Sequence, residues 1–357
     1  MRARQLDGKL PNLALMRLSH WHKAQGDTVV FRRHASRDWF EEPYDIVYGS
    51  TIFTRSLPLV ERLQRDFPGA IVGGPGTLKY DETYDATTFA TVEGTLGLGP
   101  AGSYEHYDYD LYPDFRGSIG YTQRGCRFTC GFCPVWRMEG GVHAVASIMQ
   151  VWRGDPYPRH LHLLDNDFFG QPNWKAIIKA MSALDFRVCL NQGINVRALN
   201  PTTAAYAARI PYYDDGFEQR RLYTAWDNVG DEAPFTRGMR LLFKEGVKPD
   251  HCMVYMLIGY DEKGREPETE ARIFYRFNKM RDMGVRVFPM PYNEQHVKLM
   301  ADGKTMNLKA FQRWVVSGAH VNYPWSDYRV ISQSERERQH RLRRARKHQT
   351  EFDVTAP

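Results

Sequence analysis

Short apolar runs alternate with segments of helical spacing along most of this chain. Leu15, Leu18 and Trp21 (with His22 sharing their face) fall at helical spacing within residues 11–25, bounded by Pro11 and Gly26. Proline near a helix start and glycine just past its end is the expected asymmetry. Residues 28–31, 45–50 and 70–74 read as strands, and residues 57–66 read as a helix closed by Pro68 and Gly69. Such alternation predicts a parallel sheet covered on both faces. Residues 100–115 interrupt it with Tyr104, Tyr107, Tyr109 and Tyr112 among Asp108, Asp110 and Asp114. This stretch lacks a clean period and predicts a linker that packs its tyrosines on the domain after it.

From Gly117 the alternation becomes regular. Strand-like runs occur at 119–122, 161–164, 187–190, 222–225, 253–258 and 285–288. Helix-like segments separate them, including 142–151, 174–184, 201–209, 235–244 and 269–283, and residues 310–316 read as a later helix. Each unit spans roughly 25–40 residues, the size of a βα unit.

Composition narrows this picture. The 357 residues fit about two domains on a ~150-residue prior, and an apolar fraction of 42% supports substantial cores. No run of 18 apolar residues offers a membrane span. The start, Met1 to Gly8, has no apolar stretch behind its basic residues and does not read as a signal peptide. The net charge of +6 is uneven: residues 335–348 hold six arginines and one lysine against two glutamates, a net +5. That tail, with Arg336, His340, Arg343 (or Arg344) and Lys347 near one helical face, either stays solvated or neutralises phosphates of a nucleic acid.

The chemistry concentrates in Cys126-Arg127-Phe128-Thr129-Cys130-Gly131-Phe132-Cys133, which holds three of the five cysteines. Thiolates this close ligate a soft metal centre. Three are one short of the four that ordinarily hold an iron–sulfur cluster, so one iron would keep an open position. Zinc held by these cysteines and His143 is an alternative, although its usual paired CxxC or HxxxH spacing is missing. Cys189 and Cys252 lie alone in apolar runs and read as buried small hydrophobes. Reduced thiols fit a cytoplasmic protein.

Polar residues follow every strand-like run after Gly117: Arg124; Asp165, Asn166 and Asp167; Asn191, Gln192, Asn195 and Arg197; Asp227 and Asn228; Tyr260, Asp261 and Glu262; Tyr292, Asn293 and Glu294. In barrels of βα units, the carboxyl ends of the strands carry the active site. The turn Gly73-Gly74-Pro75-Gly76-Thr77 reads either as a tight turn or as a place where a ligand approaches the backbone.

The cysteine spacing, with the aromatic Phe132 just before the third cysteine, resembles the radical S-adenosylmethionine (SAM) superfamily over roughly residues 117–295. The resemblance implies an α/β chain with a partial (β/α)6 barrel and a 4Fe–4S cluster on Cys126, Cys130 and Cys133. It further implies that SAM chelates the open iron and is cleaved to a 5′-deoxyadenosyl radical, which takes a hydrogen atom from a substrate. The electron would come from a donor such as flavodoxin or ferredoxin. By the same resemblance Phe132, Ile258 and Gly259 meet adenine. Asp165 and Asn166 stand where the family's Gly-Gly-Glu contacts the amino group, and Gln192 and Arg197 meet the ribose and carboxylate, a group that suits arginine's fork.

Residues 10–100 resemble the Rossmann-like cobalamin-binding domain that precedes many such barrels. The helix ending in Lys23-Ala24-Gln25-Gly26-Asp27, the strand at Asp45 and the Gly-Gly-Pro turn come in its order. The Asp-x-His-x-x-Gly motif that supplies a histidine to cobalt is absent, so the expectation is a degenerate domain without cobalamin. The implied division is residues 1–99 for this domain, 100–116 for a linker, 117–300 for the barrel and 301–357 for a helix and basic tail. Two alternatives stand beside it: a cobalamin-dependent radical SAM methyltransferase, and a non-catalytic, metal-containing nucleic-acid-binding protein.

Overall fold

The computed structural model describes residues 1–6, 8–80, 86–88 and 105–330. The basic tail and Tyr104 lie outside the described residues. Strands β1 (Arg2–Gln5), β2 (Val30–Arg32), β3 (Val47–Ser50) and β4 (Ile71–Gly73) form one parallel sheet in the order β2-β1-β3-β4. Helices α1 (Leu13–Ala24) and α2 (Leu57–Asp66) pack on it. Asn12 caps α1 by accepting from the Leu15 amide, and its Nδ2 donates to Ser50 Oγ at 2.8 Å, tying the helix start to the end of β3.

The central strand β1 is an addition to the sequence expectation. Its residues Arg2-Ala3-Arg4-Gln5 carry little apolar signal, yet Ala3 is fully buried between the neighbouring strands. The linker expectation is also corrected. Tyr109 exchanges hydrogen bonds with the backbone of Ile119, on the side of the later strands. Tyr112 instead turns to the first sheet, donating to Gln5 Oε1 at 2.8 Å and accepting from the Asn12 amide. Asp108 takes Ser19 and Lys23 of α1. This segment joins both parts of the chain.

Six further strands are β5 (Ser118–Gly120), β6 (His160–Leu163), β7 (Arg187–Leu190), β8 (Leu222–Ala225), β9 (Cys252–Ile258) and β10 (Arg286–Pro291). They form two three-stranded parallel sheets, β7-β6-β5 and β8-β9-β10. Between β7 and β8 the backbone is stitched by Ile194, whose amide donates to Tyr223 O and whose carbonyl accepts from Thr224 Oγ1. Helices α3 (Trp174–Ala183), α4 (Pro201–Ala207), α5 (Glu232–Lys244), α6 (Glu270–Asp282) and α7 (Leu308–Val316) supply the other half of one core. Strand β9 shows the division: Cys252, Val254, Met256 and Ile258 are buried in alternation, while Met253, Tyr255 and Leu257 are half-buried on the opposite face. Cys189 and Cys252 are buried, and burial pushes both thiols up to about 12.

The helix expected over 142–151 shrinks to Ile148–Val151. His143–Ala144 instead pairs antiparallel with Gln123–Arg124, and a Ser147–Gln150 capping box starts the helix late. Among the described residues no helix is long and apolar enough to cross a membrane.

The first sheet touches the carboxyl end of β10. After β3 the chain reaches Thr54 and Arg55, which contact Asn293 and pair with Glu294. Asn293 and Glu294 both hold left-handed backbone (φ 47° and 56°), a conformation uncommon outside glycine. The turn after β4 folds onto its own sheet. A Cβ on Gly74, whose φ is +103°, would lie 2.3 Å from Thr51 O. That glycine is therefore required by close protein packing.

Candidate functional site

The cysteine loop lies beyond β5, and three residues after β6 are spent on holding it. Asp165 accepts from the Thr122 amide (2.7 Å), the Gln123 amide (3.2 Å) and the Thr122 hydroxyl. Asn166 Nδ2 donates to Glu139 Oε2 at 2.9 Å. Glu139 also accepts from Arg124 Nη1 (3.1 Å) and the Gly125 amide (2.9 Å). Asp167 clamps Arg127 by a two-pronged pair at 2.6 and 2.9 Å and accepts from its amide. The backbone on both sides of Cys126 is thereby fixed from neighbouring segments. Burial pushes the Asp165 carboxyl up to about 7 despite its donors.

The three thiols are half-buried. Burial pushes Cys133 up to about 11, with Cys130 and Cys126 adding like-charge repulsion. Cys126 is also raised by burial, against the Phe128 amide that donates to its sulfur at 3.4 Å. Arg197 Nη2 lies 3.7 Å from Cys130 Sγ. A bound cation inverts this logic and takes thiols as thiolates. Among the described residues no three His, Cys, Asp or Glu side chains are gathered to hold a single ion. His143, the fourth donor of the zinc alternative, is exposed and turns Nδ1 to Gly141 O. A 4Fe–4S cluster asks for something different, one thiolate on each of three irons. Three half-buried thiols on one loop, each with an N–H group aimed at its sulfur (Phe128 at Cys126, Arg197 at Cys130, Val135 at Cys133), fit that demand in donor chemistry.

A cavity of about 280 Å³ opens beside the loop, lined by Phe128, Cys130, Phe132, Arg197, Asp227 and Tyr260, with Asp231, Glu262 and Arg265 completing a charged wall. Asp231 accepts from Arg197 Nη1 at 2.6 Å and Arg265 Nη1 at 3.1 Å, and Arg265 Nε pairs with Glu262 at 2.9 Å. Phe132 meets Tyr260 edge-on at 5.7 Å, and Tyr260 meets Tyr292 at 4.6 Å. A larger hollow of about 750 Å³ along α5 shares no lining residue with this one and holds none of the cysteines.

Of the residues singled out by sequence, Cys130, Phe132 and Arg197 come together at the cavity with Asp227, Asn228, Tyr260 and Glu262 from the strand ends. Asp165 and Asn166 lie behind the loop, occupied in anchoring it. Gln192 is exposed. Ile258 is buried in the helix-side core. Gly259 packs against Leu308, with its carbonyl accepting from Lys298. Glu139, Asp231 and Arg265 were missed. They sit in unremarkable polar stretches, and nothing local marks them as partners of the loop.

Two effects follow from this geometry. A Cβ on Gly131 would lie 2.5 Å from the Tyr260 hydroxyl. Gly131→Ala is expected to cost about 1–3 kcal/mol by overpacking. Tyr260→Phe in the same chain should restore most of it in thermal unfolding, because the clashing oxygen is gone. Asp227, which accepts from the Leu257 amide, is pushed up to about 6 by burial. A carboxyl raised in the fold stabilises below its ordinary value near 4, and that stability is lost as pH rises through about 6. In the metal-free chain Asp227 should therefore contribute a loss on the order of 1–2 kcal/mol between pH 4 and 7, beside the losses from Asp165 and Glu268. Asp227→Asn, which keeps the acceptor, should flatten that part of the profile in urea unfolding.

No family model matches the chain, and no curated protein matches it in sequence. Among solved structures it is similar to that of the radical S-adenosylmethionine methyltransferase TsrM from Kitasatospora setae, determined with cobalamin and a 4Fe–4S cluster bound. The TM-score is 0.54 at 11% identity, over 81% of this chain and 74% of that one. The likeness is one of fold, to this methyltransferase structure.

Proposed function

We propose that this chain is a radical SAM enzyme whose six later strands act as a partial (β/α)6 barrel behind a Rossmann-like N-terminal domain. The observation that carries this reading is the loop of Cys126, Cys130 and Cys133, anchored from β6 and opening on a cavity lined by aromatic rings, arginines and carboxylates. Cys126, Cys130 and Cys133 would hold a 4Fe–4S cluster. When bound, such a cluster supplies the electron that cleaves SAM reductively, with a hydrogen atom then taken from the substrate.

The chain's own residues would bind and orient. Phe132 and Tyr260 offer flat apolar faces to adenine. Arg265 offers a cation to the carboxylate, and Asp227 with Glu262 offers anions to the ammonium group. Phe128 closes the wall over Arg197, its ring 5.6 Å from the guanidinium carbon. The proposal includes an electron donor such as flavodoxin or ferredoxin and a nucleic-acid contact through residues 335–348.

The likeness to a cobalamin-bound methyltransferase favours a second reading, methyl transfer with cobalamin. The packing of Gly74 on Thr51 supports the degenerate domain instead. Anaerobic reconstitution with iron, sulfide and hydroxocobalamin separates them. The proposal expects about four irons per chain, an electron-resonance signal that changes when SAM is added, and no stoichiometric corrinoid. One corrinoid per chain would move the assignment to methyl transfer, and a chain that takes up no cluster would end both readings.

A further inference from the structure

Resting on the cluster reading above, we propose that Arg197 is a positioning residue that raises the reduction potential of the centre on Cys126, Cys130 and Cys133, and that it does not bind a SAM carboxylate. Every nitrogen of its guanidinium is already directed. Nη1 donates to Asp231 at 2.6 Å, Nε to Asn195 at 3.3 Å, and Nη2 points at Cys130 Sγ from 3.7 Å. The side chain is largely covered, with about a fifth of its surface exposed. Its backbone is fixed as well: Val196–Ala198 forms a 3-10 turn after β7, and Arg237 of α5 donates to Arg197 O at 3.1 Å. A guanidinium held this way keeps two of its five N–H groups, one on each terminal nitrogen, and its Nε edge is closed to the two-pronged grip of a carboxylate. Arg265, although its Nη1 and Nε are paired with Asp231 and Glu262, has more of its surface exposed on the cavity wall and is better placed for that contact.

The physical effect is electrostatic. One-electron reduction adds one negative charge to the centre and neither makes nor breaks a bond to protein. An N–H donor on a ligating sulfur, carried by a cation that stays protonated at any working pH, favours the more negative state. Asp231 limits the effect by sharing the charge, and it also aims the fork. The sequence-derived role of Arg197, contact with the SAM carboxylate, is therefore replaced by contact with the cysteine ligand.

The test is an electron-resonance redox titration of the reconstituted wild type, Arg197→Gln and Arg197→Lys, with iron content, thermal midpoint and SAM dissociation constant measured on the same samples. The expected result is a full cluster in all three. In Arg197→Gln the one-electron equilibrium should weaken about tenfold, a fall of about 59 mV. Arg197→Lys, which keeps the charge without the fork, should recover part of it, and SAM affinity should change less than threefold. An unchanged potential in both variants, or a loss of SAM affinity with no change in potential, overturns the inference. If Arg197→Gln takes up no cluster, Arg197→Lys decides alone, between a lowered and a wild-type potential. A wild type without a cluster counts against the radical SAM reading itself and is visible before any variant is compared.

Discussion

Glu139→Ala is expected to destabilise the cysteine loop by about 3–5 kcal/mol, the cost of removing one partner of a buried ion pair. Glu139, Arg124 and Glu105 are each almost covered, with side-chain exposures of 8%, 7% and 12%. Without Glu139 the Arg124 guanidinium keeps Glu105 and the face of Tyr121, and the Gly125 amide and Asn166 Nδ2 lose this acceptor. The sequence consequence is local, one residue before Cys126. Iron uptake should therefore fall with stability, and iron per chain after reconstitution measures both together. Glu139→Gln keeps an acceptor oxygen, so its cost should be nearer 1.5–3 kcal/mol. Equal iron content in wild type and Glu139→Ala would show that the loop does not depend on this anchor.

Arg276→Met is the second large effect. Arg276 is fully buried on α6, pairs with Glu268, and donates to Trp226 O, Asp227 O and Leu257 O, each at 2.9 Å. It thus ties the carboxyl ends of β8 and β9 to the helix behind them, and with them the cavity wall at Asp227. Burial pushes the Glu268 carboxyl up to about 7 while the Arg276 charge opposes that shift. Removing the cation leaves a buried carboxyl and three carbonyls without their donor, about 3–5 kcal/mol by the same reasoning. Urea unfolding of Arg276→Met should show this, and adding Glu268→Leu should recover a large share, because the uncompensated charge leaves with its partner. A single variant as stable as wild type would mean that the pair contributes nothing to holding the strand ends.

What the sequence made legible, and what it did not, divides along the range of the interactions. The α/β alternation was readable because β9 is a continuous apolar run, β6, β7 and β8 are short and mostly apolar or alternating, and their helices carry apolar faces. β1 was not readable, since only Ala3 of its four residues needs to be apolar in a strand flanked on both edges. The helix over 142–151 was overread because its apolar spacing competes with pairing to Gln123–Arg124, a long-range contact. The same limit governs the site. Local spacing alone marks Cys126, Cys130, Cys133 and Phe132. Asp165, Asn166 and Asp167 announce themselves as polar residues after a strand, but their use as anchors depends on partners 27 to 44 residues away. Asp231 and Arg265 are joined to the cysteines only through Arg197.

Reductive cleavage of SAM is the central step of the proposed function. Protein reconstituted anaerobically with iron and sulfide, reduced with dithionite and given SAM should release 5′-deoxyadenosine, and Cys130→Ala should release none. A wild type shown to carry a full cluster that produces no 5′-deoxyadenosine, with or without a candidate substrate, would contradict the account and leave the metal centre as structural.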